Sequence, residues 1–178
     1  MSCDLAGGIT LTDCNQAVGG IKSVFVANAV DVMATATISN TLMTANTSTI
    51  TFYEIEQHPE KAELSIRINA SPENGTAFYD QELTVVVRDL VSADQKVVED
   101  IIKASTLVVV QLHSVDASGN TQYMILGAEN GCDVSGGNLE TGRGFGDMQG
   151  ITLNLRGRET QHIVVNMTTI PGTWSGIS

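Results

Sequence analysis

The chain has 178 residues and a formal net charge of −11, with only nine Lys and Arg residues. Because binding a phosphate backbone tightly requires clustered basic side chains, this charge balance argues against a nucleic-acid-binding protein. The length is typical of one domain, and no apolar run is long enough to cross a bilayer, so we expect a single domain over residues 1–178 that does not insert into a membrane.

The composition predicts a mainly β fold. Aromatic residues make up only 4% of the chain although 42% of it is hydrophobic, so the core must be built from aliphatic side chains. Val and Thr recur in runs such as 84–87, and β-branched residues favour extended backbone. The start of the chain lacks the features of a signal peptide, and Cys3, Cys14 and Cys132 form no CxxC pair, which predicts synthesis in a reducing, cytosolic compartment.

The first half of the chain predicts an arm, a strand, an irregular region and a hairpin. Residues 1–20 are rich in Gly, Asp and Asn without periodicity, which is typical of a long extended arm. A short apolar run at 21–28 predicts a strand, and the weak alternation over 31–46 indicates a long loop or irregular strands. Apolar and polar residues alternate around the connection between 50–56 and 63–70, which predicts a hairpin with one buried face.

A helix is predicted in the middle of the chain, after a turn at 71–75 and a strand at 83–90. It spans about 92–105, with Ser92 as N-cap and Gln95 three residues later as a capping box. Its apolar residues recur on one face and charged residues cover the other, so we expect one amphipathic helix lying on the sheet.

The last third of the chain predicts two strands, a glycine-rich stretch and two further strands. Residues 106–115 and 121–126 form a hairpin, 127–147 are rich in Gly, and strands follow at 151–156 and 162–167. A loose tail is expected at 171–178.

No motif predicts catalysis, a cofactor or a metal site. The Gly142–Gly146 segment precedes a strand, whereas a nucleotide-binding loop must open a helix. Neither the histidines nor the cysteines have ligand or nucleophile spacing. The acidic group around the first hairpin is interpreted as a solvated loop, or alternatively as a partner for basic residues of a neighbouring subunit. The histidines are His58, His113 and His162; the acidic residues are Glu54, Glu56, Glu60 and Glu63.

Two segments carry a resemblance to a known family. Residues 123–131 form a strand that ends in Leu-Gly-x-Glu-Asn-Gly, and residues 146–159 follow the pattern Gly-Asp-x-Gln-Gly-x-x-Leu-x-Leu-x-Gly-x-Glu. Their order and spacing over about 78–165 resemble the tail tube proteins of long-tailed phages, with Ile151 replacing the aromatic residue usual in that family. The motif positions are Gly127, Glu129, Asn130, Gly131, Gly146, Asp147, Gly150, Gly157 and Glu159.

The resemblance implies a tail-tube-like β-barrel or sandwich with one flanking helix, and the function of a virion structural protein. Such subunits form rings, usually of six, that stack into a conduit for DNA ejection; other tail proteins are further partners, and DNA passes through the lumen without specific binding. An acidic lumen would repel phosphates. No enzymatic activity is implied. The alternatives are a ring, adaptor or hub protein of a shorter tail, or a secretion-type tube protein built on the same fold.

Overall fold

The computed structural model describes residues 18–39, 42–45, 51–57, 61–88, 92–115, 119–160, 163–166 and 173–175. These ranges contain two helices, α1 (Ala29–Thr35) and α2 (Ser92–Lys103). They also contain twelve strands: β1 (Ile21–Asn28), β2 (Ala36–Ser39), β3 (Leu42–Ala45), β4 (Thr51–Ile55), β5 (Glu63–Ser71), β6 (Thr76–Arg88), β7 (Thr106–Val115), β8 (Thr121–Leu126), β9 (Cys132–Glu140), β10 (Gly150–Glu159), β11 (Ile163–Asn166) and β12 (Thr173–Ser175).

Ten of these strands form one sheet that divides at β7. The order is β12-β4-β1-β7-β9-β10-β6-β5, and β8 also pairs with β7 and carries β11 on its other edge. Thr106 of β7 pairs with Cys132 of β9, whereas β7 pairs with β8 from Val108 onward. The sheet therefore has a first arm (β12, β4, β1, β7, β8 and β11) and a second arm (β9, β10, β6 and β5).

The two arms share one hydrophobic core. Its buried cluster contains Val24 of β1 and Val108 of β7 from the first arm, together with Leu83 of β6 and Leu155 of β10 from the second. Fully burying an aliphatic side chain of this size contributes about 1.5–3 kcal/mol. The inward faces of the arms are therefore held together by the Val, Ile and Leu residues on which a chain poor in aromatics depends.

The strands β1 and β7 are buried on both faces, which explains their continuous apolar runs. In β1, Val26 faces the shared core, and its neighbours Phe25 and Ala27 are also buried. Helix α1 contacts both strands, and its Val32 is fully buried. The sheet thus has a second covered side around α1.

The prediction of a mainly β chain with few helices is confirmed, and the sheet is antiparallel apart from the β12–β4 pair. Helix α2 lies where it was predicted, and it ends at Lys103. Among the described residues the sheet does not close into a barrel. Residues 1–17 of the predicted arm, and residues 171–172 and 176–178 of the predicted tail, lie outside the described ranges.

Three features differ from the prediction. The strands at 50–56 and 63–70 do not form the predicted hairpin: β4 pairs with β1 and β12, whereas β5 pairs with β6, to which the short turn after Ser71 connects it. Helix α1 occupies part of the region interpreted as a loop or irregular strands; Asn28 precedes it and donates a side-chain hydrogen bond to Asp31 in its first turn, at 3.2 Å. Strand β9 occupies half of the glycine-rich stretch, because pairing with β10 outweighs the low strand propensity of Gly136 and Gly137.

Candidate functional site

Three buried polar side chains hold the same loop, which connects β8 to β9. Gln81, Thr106 and Glu159 are each no more than 3% exposed. The Gln81 side-chain oxygen accepts a hydrogen bond from the Gly127 N–H at 3.3 Å, and the Thr106 hydroxyl donates to the Cys132 carbonyl at 3.1 Å. Since buried polar groups require partners, these residues fix the position of the loop backbone.

Glu159 makes the strongest contacts with this loop. Its carboxylate accepts hydrogen bonds from the Glu129 N–H at 2.9 Å and from the Asn130 N–H at 3.1 Å. In the opposite direction, the Asn130 side chain donates to the Arg158 carbonyl at 2.8 Å, and the Glu129 carboxylate accepts from the Thr160 N–H at 3.1 Å. The loop and the end of β10 therefore bind each other reciprocally, and we call residues 127–132 with Gln81, Thr106 and 157–160 the clasp.

Glycine is required at two positions in the clasp because the chains approach closely. Gly131 has φ +78°, and a Cβ there would lie 2.2 Å from the Ser105 hydroxyl oxygen. A Cβ on Gly157 would lie 2.7 Å from the Cys132 sulfur. No side chain fits at either point without moving its neighbours.

Burial is the main cause of the pKa shifts of two groups in the clasp, the Glu159 carboxyl and the Cys132 thiol. Burial raises the pKa of the Glu159 carboxyl, the N–H donors of Asn130 and Glu129 partly offset that rise, and the nearby Glu129 charge adds to it. Burial, with smaller contributions from the charges of Glu159 and Asp133, raises the pKa of the Cys132 thiol to about 12. Because the thiolate is the nucleophilic form, this burial argues against a nucleophilic role for Cys132.

The remaining motif positions lie in the connection between β9 and β10. One carboxylate oxygen of Asp147 accepts hydrogen bonds from the N–H groups of Arg143 and Gly144, both at 2.8 Å, and these two bonds lower the pKa of Asp147. The Asp147 N–H in turn donates to the Gly144 carbonyl at 3.1 Å. We call residues 141–149 the Asp147 turn. Gly150 follows it, where a Cβ would lie 2.2 Å from the Val87 carbonyl oxygen.

The nine motif positions therefore form two structural groups. Six of them, Gly127, Glu129, Asn130, Gly131, Gly157 and Glu159, meet in the clasp although about thirty residues separate Glu129 from Glu159. The other three, Gly146, Asp147 and Gly150, belong to the Asp147 turn or follow it. Gln81 and Thr106 were missed by sequence reasoning; the only signal was a polar residue at an inward position of β6, two residues before Leu83.

An ion-pair network lies on the outward face of the second arm. The Arg156 guanidinium donates to both carboxylate oxygens of Asp80, one of them at 2.7 Å, and Arg158 lies 4.0 Å from the same carboxylate. The Arg156 hydrogen bond lowers the pKa of Asp80; burial opposes it, and the charges of Arg156, Arg158 and Arg67 act in the same direction as the hydrogen bond. These pairs connect β10 to β6 on the exposed face of the arm.

The residues considered for chemistry remain dispersed where the structure describes them. His58, His162, Glu60, Cys3 and Cys14 lie outside the described residues, whereas Glu56 and Glu63 are exposed. No group of three or more His, Cys, Asp or Glu among the described residues could hold a metal ion. Within the described part of the chain, neither helix is long and apolar enough to cross a membrane.

Comparisons with protein-family models, with curated proteins and with solved structures found no match.

Proposed function

We propose that the chain is a structural subunit of a phage tail tube, which associates with copies of itself into rings that stack into a conduit for DNA. The observation that carries the proposal is the open edge of the sheet. Strand β5 pairs with β6 on one side, and no described strand pairs with its other side. A nine-residue edge of this kind is a ready template for pairing with another chain.

The side chains of β5 favour a buried edge. Leu64 and Ile66 are half-buried, and Ile68 is 72% exposed near the end of the strand. In an isolated subunit an open strand edge of this kind is prone to pair with other chains, whereas in a ring a neighbouring strand would cover it. At the other end of the sheet, β12 pairs only with β4 among the described strands. Two different edges on one subunit are what a head-to-tail ring requires.

The hairpin of β5 and β6 also extends beyond the core. Residues 67–70 and 72–78 are exposed, although 69 pairs with 78 and 71 with 76 along the hairpin. A two-stranded ribbon is marginally stable in water. Contacts with a neighbouring subunit would stabilise it, and Ile68 and Phe78 would supply apolar surface on its two faces.

The clasp fits a structural role. Its polar groups are occupied by one another, so it holds the division between the two arms in a fixed shape and presents that shape to neighbours. The motif segments that resemble the tail tube family are thus the segments that maintain the geometry of the arms. The net charge of −11 supports a conduit function, since an acidic lumen repels DNA phosphates.

Light scattering on the purified chain at increasing concentration tests the proposal. We expect particles much larger than one subunit for the wild-type chain and a rise of about tenfold or more in the assembly concentration for Ile68→Lys, because an edge lysine blocks strand pairing. Val97→Lys is the matched control: Val97 is also an exposed apolar residue, 54% exposed, but it lies on α2. Equal assembly of Ile68→Lys and the wild-type chain would contradict the role of the β5 edge.

The length of the particles distinguishes a tail tube from a ring, adaptor or hub protein. Long stacks support a tail tube, whereas particles that stop after one or two rings favour a ring, adaptor or hub protein.

A further inference from the structure

The Asp147 turn presents a fully exposed aromatic residue. Phe145 lies at its tip between Gly144 and Gly146 and touches solvent over its whole side chain. The turn is not a loose loop, since the Asp147 carboxylate binds two backbone N–H groups and its own N–H binds the Gly144 carbonyl. A ring held in place before contact loses less conformational entropy on binding than a mobile one.

An apolar cavity opens elsewhere on the molecule, at the end of the core between the two arms. It has a volume of about 410 Å³ and is lined chiefly by Ile21, Leu64, Ile66, Leu112 and Met124, with Glu63 as its charged residue. Cavities of about 150 Å³ bind benzene. This cavity therefore has room for the ring of a phenylalanine, and its methionine and aliphatic lining suits one.

Phe145 cannot reach the cavity of its own molecule. The Asp147 turn lies beyond the point where Gly150 pairs with Arg88, whereas Leu64 and Ile66 pair with Leu83 and Gln81 of the same strand β6. Five residues of strand separate Arg88 from Leu83, which is about 17 Å. A ring on a locked turn that far away can enter the cavity only of another copy.

The charges beside Phe145 and beside the cavity are complementary. Arg143 is two residues from Phe145, and its guanidinium has no ion pair with the residues that the structure describes. Glu63 at the cavity is exposed and likewise has no ion pair within the described ranges. In a chain with only nine basic residues, an unpaired cation beside the protruding ring matches an unpaired carboxylate beside the cavity.

We propose that Phe145 of one copy inserts into the Ile21–Leu64–Met124 cavity of a second copy, with Arg143 lying against Glu63. The two surfaces are different patches of the same chain, so the contact is head-to-tail and generates a closed ring or an open filament. This inference rests on the proposed self-assembly and names one contact through which it occurs. The cavity includes Leu64 and Ile66 of β5, but Phe145 lies at the far end of β6 from the β5–β6 tip, so substitutions at Phe145 leave the β5 edge unchanged.

Photo-crosslinking of the full chain tests the contact directly. We would replace Phe145 by p-benzoylphenylalanine, irradiate the assembled protein and identify the crosslinked peptides by mass spectrometry. The expected product joins position 145 to Met124, Leu112 or another cavity residue of a different copy. Crosslinks to any other region, to a segment outside the described residues or to a different protein would overturn the proposal.

Substitutions test how much the Phe145 contact contributes to the free energy of assembly. Truncating a buried aromatic anchor at an interface typically weakens binding by about thirtyfold or more, so we expect Phe145→Ala to raise the assembly concentration by about that factor. Ala62→Trp, which fills the cavity from its rim, should do the same. Leu139→Ala is the control, since Leu139 is 58% exposed on strand β9 of the same hairpin but lies outside the Asp147 turn, and it should assemble normally.

Exchanging the charges of Arg143 and Glu63 separates an effect on assembly from an effect on folding. Arg143→Glu and Glu63→Arg should each impair assembly, and the double variant should recover most of it. If wild-type rings form and Phe145→Ala and Ala62→Trp form them equally well, this inference fails while the proposed function stands. A wild-type chain that stays monomeric would overturn both.

Discussion

Glu129 and Glu159 each bind the chain segment to which the other belongs. The Glu159 carboxylate accepts the Glu129 N–H at 2.9 Å, and the Glu129 carboxylate accepts the N–H of Thr160, the residue after Glu159, at 3.1 Å. This exchange joins the β8–β9 loop to the end of β10. Substitutions in the clasp should therefore change the free energy of unfolding.

Removing the Glu159 carboxylate should destabilise the chain strongly. Glu159→Ala leaves the N–H groups of Glu129 and Asn130 without their acceptor in a partly buried site, which costs about 1–3 kcal/mol. Urea unfolding followed by circular dichroism measures this loss. Glu73→Ala, at an exposed turn, is the control and should stay within about 0.5 kcal/mol of the wild-type chain. Equal losses for both variants would show that Glu159 does not anchor the loop.

The contribution of Glu159 to stability should fall as pH rises. Its pKa is raised in the folded state above the ordinary value of 4.5, so the folded chain holds this proton more tightly than the unfolded chain. The resulting stabilisation is complete below pH 4.5 and is lost as pH rises through the folded-state pKa. The unfolding free energy of the wild-type chain relative to Glu159→Gln should therefore decrease from acidic to neutral pH. An increase over that range would contradict the burial of the carboxyl.

Gly157→Ala should destabilise the chain through a single steric contact. The added Cβ would lie 2.7 Å from the Cys132 sulfur, and overpacking of this kind costs about 1–3 kcal/mol. In a Cys132→Ala background the sulfur is gone, so the cost of Gly157→Ala should be smaller. A double-mutant cycle on the unfolding free energies measures the coupling. Strictly additive losses would place the strain elsewhere.

The Cys132 thiol should be nearly inert in the folded chain. Its pKa of about 12 leaves almost no thiolate at pH 8, and the residue is fully buried. In a Cys3→Ser/Cys14→Ser background, a disulfide reagent should modify native Cys132 more slowly than urea-unfolded Cys132 by a factor above about a thousand. Fast modification of the native chain would indicate an activated thiol and would reopen the question of catalysis.

Much of the fold could be predicted from local patterns. Alternation of Leu64, Ile66 and Ile68 indicated β5, and the capping box at Ser92 indicated α2. Helix α1 could not be predicted in this way, because its short sequence is stabilised by packing on β1 and β7. Strand β9 could not be predicted because it contains glycines, and it forms through its pairing with β10.

The clasp could be predicted only in part. Its glycines and Glu129, Asn130 and Glu159 were identified through the two motifs, but nothing in the sequence indicates that the motifs bind each other. Thr106 has no local signal, and the only signal of Gln81 is a polar residue at an inward position of β6. The role of both residues depends on hydrogen bonds to a loop that follows them by at least twenty residues. The roles of such residues depend on contacts between distant segments of the chain, which local patterns in a single sequence do not reveal.

Negative-stain electron microscopy of the purified, concentrated chain tests the central claim most directly. Self-assembly into a tube predicts hollow rings in end-on views and stacks of rings in side views. A uniform field of single subunits, or solid aggregates without a central channel, would contradict self-assembly into a conduit.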